Sequence, residues 1–433
     1  MHKNFRFLLG ALALSVVSVP ATAQFPRGDE PIAVPRTIKQ GIDFVYVDPD
    51  LSNVARRNQR PTNWLLRTIG FDWPFGSRRD MPNPLFIDMA RGLEQYQLSW
   101  GRLPQIKIPA GAALKPGSTG KRVELLRMRL GLPRAGGFDQ RLTEAVRAYQ
   151  QVHGLGPADG IAGRATIASL NRGATYYARK IAINMERAHR LPKTGQFDRY
   201  VVVDSGAAEI YLFDRDRAVD GMRAIVGSAK TQTPMMAVIL RNARVNPYWN
   251  VPPELIRSFT APRVLKQGIS YLKDFHYEVL SDWSPTAQIL DPAKVDWKKV
   301  AAGKSNIRVR QLPGPWNSMG EMKFETPNDF GIYLHDTPKK ELFAQADRWI
   351  SNGCVRLEDY KRFASWFFAG VPQGRTEREE VVNVPRPAPI FMTYLTVSYR
   401  GNGVQFRPDP YGFDDRAMEQ MFGPNRQLAS VEI

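Results

Sequence analysis

One cysteine occurs in this 433-residue chain, Cys354, and one of its five histidines, His335, stands nineteen positions before it. A thiol attacks only as the thiolate, and its ordinary pKa of about 8.5 means that a reactive cysteine needs a base or cation beside it. An imidazole suits the task, because it takes the proton from sulfur and later returns it to a leaving amine. His335 closes the apolar run Ile332-Tyr333-Leu334. The turn Ser351-Asn352-Gly353-Cys354 puts a glycine directly before the sulfur, where its backbone freedom lets N–H groups converge on a developing oxyanion. On chemistry alone two readings stand side by side: a nucleophile, or a small buried hydrophobe.

The count of one excludes an internal disulfide and a cysteine metal cluster. His2, His153, His189, His276 and His335 show no metal-ligand spacing, so neither a metal nor a cofactor is expected. His153 ends a helical stretch and reads as a surface or capping residue, and His276 as structural.

The elements that must position this pair follow from the rest of the chain. Residues 1–23 read as a secretory signal peptide, with Lys3 and Arg6 before the apolar stretch Phe7 to Val19 and Ala21-Thr22-Ala23 as the cleavage signal. The apolar stretch is too short for a membrane span and no later one is long enough, so a periplasmic protein without a transmembrane segment is expected. A formal charge of +18 favours anionic partners. For an exported chain these are the wall and lipid head groups, and nucleic acid is not expected.

Residues 24–36, rich in proline, form a tether, and 37–110 a mainly helical scaffold with Met89, Leu93 and Tyr96 at helical spacing. Over 111–173 three short helices are predicted, the first carrying Val123, Leu126 and Leu130 on one face. The second starts at Asp139 as N-cap and carries Leu142, Ala145, Val146 and Tyr149, and the third follows Asp159-Gly160. With Gly117, Gly120, Gly154, Gly163 and Thr166 at their places, this segment resembles a peptidoglycan-binding domain. Its apolar positions would equally pack a plain helical bundle. A connecting helix is expected over 174–198.

From 199 to 400 β-branched and aromatic runs alternate with turn residues, which predicts a β-rich domain, interrupted at about 253–305 by a lid-like or merely ornamental insertion. Residues 401–433 form a C-terminal extension. The predicted fold class is thus multidomain α+β.

The words HDTP at 335–338 and SNGCVRL at 351–357 resemble the active-site signature of the L,D-transpeptidases, the YkuD-type catalytic domain. TQTP at 231–234, NPYWNVPP at 246–253 and APIFMTYLTVS at 388–398 resemble in particular its large periplasmic, scaffold-bearing members. The resemblance implies that Cys354 attacks a donor stem peptide at its L-centre carbonyl, that His335 activates it, and that a thioester forms as the terminal D-amino acid leaves. An acceptor amine then gives a 3→3 cross-link between two meso-diaminopimelate residues. It also implies acylation of the thiol by carbapenems.

The backbone carbonyl of Asp336, or alternatively its carboxylate, would orient the His335 ring, and the N–H groups of Gly353 and Cys354 would form the oxyanion hole. Many family members have a histidine where Asn352 stands, which leaves His335 as the base of the motif. Tyr333, two residues before His335 and on its side of the strand, is a candidate for the donor site or for the core. Trp249 is a candidate cleft wall or core residue, Ser351 and Asn352 are candidate substrate contacts, and Arg356 either holds a substrate carboxylate or braces the turn. Expected partners are peptidoglycan stem peptides and glycan strands, with other wall-synthesis proteins or an anchored envelope protein as further candidates. With water as acceptor the same chemistry is an L,D-carboxypeptidase, with an envelope protein an anchoring reaction. A wall-binding scaffold is the non-enzymatic alternative.

Overall fold

A computed structural model describes residues 44–51, 54 and 81–423 except 285, 400 and 402; the predicted signal peptide and tether, and parts of the scaffold and C-terminal extension, lie outside the described residues. The β-rich region is a sheet that closes on itself. In chain order its strands are β1 (Val45–Tyr46), β2 (Arg199–Asp204), β3 (Glu209–Asp214), β4 (Arg217–Gly227) and β5 (Met236–Val245). After the insertion come β10 (Met322–Phe324), β11 (Leu334–His335), β12 (Trp349–Ser351), β13 (Val355–Leu357) and β14 (Glu380–Thr393). Spatially β5 leads through β10, β11, β13, β4, β3 and β2 to β14, and β14 pairs back onto β5. Closure removes the exposed edges.

Period-2 alternation decides which residues fill the ring and which face outward. Val201, Ile210, Val226, Val238, Phe324, Leu334, Val355 and Leu357 point in and are buried, joined by Phe363 and Phe367 of the helix Tyr360–Phe368. Their neighbours Arg244, Lys323, His335 and Arg356 therefore lie on the outer surface. Asp359 caps that helix through the N–H of Arg362.

Four further strands, β6 (Trp249–Asn250), β7 (Tyr277–Leu280), β8 (Ile289–Leu290) and β9 (Arg308–Gln311), form a separate small sheet. It has its own core of Val251, Val264, Tyr271, Val279, Trp297 and Val309. The insertion is thus wider than the 253–305 read from sequence. Its base is the pairing of Trp249 with Gln311, two positions whose local patterns do not announce each other.

The longer helices are α1 (Pro84–Leu98), α2 (Lys121–Arg129), α3 (Gln140–Val152), α4 (Arg164–Arg172) and α5 (Ala174–His189), followed after the sheet by α8 (Phe413–Phe422), with α6 (Ala261–Gln267) in the insertion and α7 the helix at 360–368. Asp139 caps α3, accepting from the N–H of Leu142 at 2.9 Å. The scaffold is not only helical, because its strand β1 adds in parallel to β5. Met89, Leu93 and Tyr96 of α1 pack with Tyr177, Ile181 and Met185 of α5 onto the outer side chains Tyr200, Val202 and Phe391.

The α2–α4 unit has its own core, from Val123 and Leu126 to Tyr149 and Leu170, and docks through His153. That residue ends α3 as expected but is buried, not at the surface. Its Nδ1–H donates to the Tyr149 carbonyl at 2.8 Å and Nε2 accepts from the Tyr96 hydroxyl at 3.0 Å. The ring stacks between Tyr149 and Phe406, with centroids 3.7 and 5.3 Å away. Burial holds this imidazole neutral, with its pKa lowered to about 3. Beside it a side chain at Gly154 would strike the Phe406 carbonyl at 2.2 Å. No helix among the described residues is long and apolar enough to cross a membrane.

Candidate active site

Strands β11 and β13 run parallel, with Leu334 opposite Val355 and His335 opposite Arg356. The N–H of Val355 donates to the Tyr333 carbonyl at 3.0 Å, which sets Tyr333 level with Cys354. Tyr333, His335, Cys354 and Arg356 therefore share the outer face, with His335 and Cys354 diagonal to each other at about 7–8 Å between α-carbons. On the far side of β11, Lys323 is level with His335, and Arg244 with Lys323. One line of adjacent strands thus presents Arg244, Lys323, His335 and Arg356.

The His335 ring is fixed by its neighbour: Nδ1–H donates to the backbone carbonyl of Asp336 at 2.5 Å. A carbonyl only accepts, so Nε2 keeps its lone pair toward the site. Of the two orienting groups left open by the sequence, the carbonyl has the position. The Asp336 carboxylate turns away, to the Lys340 ammonium at 2.7 Å and the N–H of Glu321 at 2.9 Å. Burial, then Arg356, lowers the His335 pKa to about 3.

Cys354 is partly exposed, and its thiol donates to the Gly331 carbonyl at 3.6 Å. No hydrogen bond joins it to His335 among the described residues. Burial raises the thiol pKa, against donation from the N–H and hydroxyl of Tyr333 and the charges of Lys323 and Arg356. Resting sulfur and imidazole are consequently both neutral. Burial holds the Tyr333 hydroxyl well above the usual tyrosine range, with the Cys354 sulfur adding to the rise and the Trp249 indole opposing it, and Lys323 Nζ lies 4.4 Å from the ring centre. Trp249, half-buried at the base of the insertion, thereby belongs to the cleft as well as to the small core.

Two of the candidate site residues bond to each other within the turn. The Gly353 N–H donates to the Ser351 hydroxyl at 3.1 Å, so it is not a free oxyanion donor; the Cys354 N–H has no acceptor among the described residues. The Ser351 hydroxyl in turn donates to the Cys354 carbonyl at 2.6 Å and is buried, which makes it a brace of the turn. Gly353 itself is required by its backbone, with φ of 111° and Ile332 Cδ1 only 2.7 Å from where a Cβ would sit. Asn352 is exposed at the rim.

Sequence reasoning missed Lys323, although alternation in Glu321-Met322-Lys323-Phe324 turns it outward, and it missed what TQTP does. The Thr233 hydroxyl donates to the Gly353 carbonyl at 2.7 Å and accepts from the Gly227 N–H at 2.9 Å, while the Thr231 hydroxyl donates to the Ser351 carbonyl at 2.9 Å. Behind them the Tyr411 hydroxyl donates to the Gly227 carbonyl at 2.7 Å. Thr233→Val keeps the shape and removes the grip on Gly353. It is expected to lower kcat about tenfold or more while KM and the thermal midpoint change little, since small misplacements of a nucleophile are costly. A variant with unchanged kcat would show that the turn holds itself.

Residues 198–384 match the family model of the L,D-transpeptidase catalytic domain, and residues 126–170 one described as "Putative peptidoglycan binding domain". Over 244 residues the chain is 31% identical to a curated protein of Haemophilus influenzae described as "Putative L,D-transpeptidase", which covers 54% of this chain and 48% of that one. The chain thus spans about half the length of the curated relative it matches. Among solved structures it is similar to an L,D-transpeptidase from Mycobacterium smegmatis, at 16% identity over 45% of this chain and 58% of the other, with a TM-score of 0.23. An L,D-transpeptidase from Stackebrandtia nassauensis is 13% identical over 66% and 96%, with a TM-score of 0.21.

Proposed function

We propose, from the match of residues 198–384 to the L,D-transpeptidase catalytic domain and of 126–170 to a peptidoglycan-binding domain, that this protein forms 3→3 cross-links between peptidoglycan stem peptides through a thioester on Cys354. The observation that carries the reading is the shared outer face of β11 and β13, on which Cys354, His335 and Tyr333 meet. Nε2 of His335, free of any internal bond, takes the thiol proton as sulfur attacks the L-centre carbonyl. The oxyanion is received by the Cys354 N–H, with Tyr333 as the second donor. His335 then protonates the leaving amine, the D-amino acid departs, and the side-chain amine of a second stem attacks the thioester. Export to the periplasm belongs to the same proposal, supported by residues 1–23 and by the location of the polymer the chain would act on.

The test is incubation of the exported form and its Cys354→Ala variant with disaccharide-tetrapeptide, followed by mass spectrometry. The expected product is a dimer lacking one terminal D-alanine, formed by the wild type alone. Tripeptide alone would replace the cross-linking reading by hydrolysis. The absence of both products and of any thiol adduct would leave the wall-binding scaffold.

A further inference from the structure

The insertion carries an apolar surface that acyl transfer does not use. Its segments Pro253–Leu255, Ile256–Thr260 and α6 run on as one helical stretch. Ile256, Thr260, Ala261 and Val264 are buried against the small sheet, which leaves Phe259, Pro262, Leu265 and Lys266 on the opposite face. Phe259 is 40% exposed, Leu265 47%, and Ile269, just past the Gly268 that ends α6, also 47%. One exposed apolar side chain is ordinary, but several so close together mark a surface that something covers.

The charges around these residues select the cover. Between Glu254 and Asp274 the chain carries Arg257, Arg263, Lys266 and Lys273 and no acidic residue. Of these four, among the described residues, only Arg257 meets a carboxylate, that of Glu254 at 3.3 Å. The Arg263 guanidinium lies over the Phe259 ring, 3.3 Å from its centre. A protein interface is ordinarily depleted of lysine at its core, and an anionic polymer in water has no use for phenylalanine and leucine. An anionic bilayer takes both kinds of residue: apolar groups enter the acyl boundary, and lysine and arginine stems reach back to the phosphates.

We infer that this face of the insertion docks on a lipid bilayer with anionic head groups, lying on the membrane and not crossing it. Phe259, Leu265 and Ile269 supply the apolar contact, and Arg263, Lys266 and Lys273 the attraction to phosphate. Docking of this kind needs no turnover and is independent of the acyl-transfer reading. Because Trp249, at the base of the insertion, borders the cleft, a lipid-held insertion keeps Cys354 toward the membrane side of the polymer.

Vesicle flotation decides the matter, with the exported form used so that the apolar stretch Phe7 to Val19 does not itself enter the lipid. Vesicles of phosphatidylcholine are compared with vesicles to which phosphatidylglycerol is added at about 30%. The wild type should bind the anionic vesicles at least about tenfold more tightly, and lose most of that margin at about 0.5 M salt. Phe259→Ser with Leu265→Ser should weaken this binding about tenfold, and Lys266→Glu with Lys273→Glu about twentyfold or more. Arg217→Glu with Val219→Ser, the same kinds of change at exposed positions of β4, should alter it little. An equal loss in that control would mean attraction by net charge alone, and a loss confined to the lysine variant would mean an anion held without entry into lipid; either overturns the inference. A wild type that ignores both vesicles overturns it as well, and a dimer in sedimentation that Phe259→Ser with Leu265→Ser dissolves would give the face to a second copy instead.

Discussion

Replacing His335 by alanine is expected to slow acylation of Cys354 roughly a thousandfold and to change how the rate depends on pH. In the wild type, burial and Arg356 keep the imidazole neutral down to a pKa of about 3, while burial raises that of the thiol. Between these limits neutral thiol and neutral imidazole are the main forms, and the pair reacts from that state with proton transfer in the step. The rate should therefore stay level from about pH 5 to 8. Without the imidazole only the small thiolate fraction attacks, and the rate should rise about tenfold per pH unit over the same span. Single-turnover mass measurements across that range check both parts. An alanine variant with the wild-type profile would remove His335 from the role of base.

The largest effect on stability is expected far from the sulfur. Asp414 of α8, only 1% exposed, meets Arg187 at 2.6 Å and Lys180 at 3.0 Å, both on α5, and accepts from the Thr396 hydroxyl at 2.7 Å. Burial pushes this carboxyl up, but Arg187 and Lys180 outweigh it and hold it below its usual range. A depressed carboxylate adds stability above the unfolded value near 3.9, and the contribution is lost as pH falls through the folded value. Asp414→Ala leaves two buried cations without their carboxylate and should cost about 3–5 kcal/mol. Asp139→Ala, at an exposed cap that also meets Arg127 at 2.8 Å, should cost clearly less. Urea unfolding of both variants at pH 7 makes the comparison. Equal midpoints would mean that the contacts these cations keep, such as Lys180 with the Arg407 carbonyl at 3.0 Å and Arg187 with the Tyr394 ring, suffice without the carboxylate.

How far the sequence could be read depended on whether a feature was local. Asp139 as a cap, the helical spacing of Met89, Leu93 and Tyr96, and the Cys354–His335 pair all follow from neighbouring residues and the chemistry of their types. Lys323 and Arg356 flank His335 because two strand registers meet there, and nothing in the local pattern of β10 states its pairing partner. Gly353 reads as an oxyanion donor and Ser351 as a substrate contact because both stand beside Cys354 in the sequence. What decides their roles is where their hydrogen bonds go, and those end within the turn and on Thr233, more than a hundred residues away. His153 reads as a surface or capping residue, and it does cap the end of α3, but the surface half of that reading fails because other segments cover the ring.

The seat of His153 has a meaning at the scale of the substrate. A domain on a slack linker would let the sulfur search every stem peptide near its foothold, at an effective concentration set by linker length. Here Tyr96, Tyr149 and Phe406 clamp the joint, and only Gly173 separates α4 from α5. On the proposed function, foothold and sulfur would then stand at a fixed separation, and the molecule would work as a caliper. Of the peptides hanging from a strand gripped at one end, it would sample those whose distance along the polymer matches its own span.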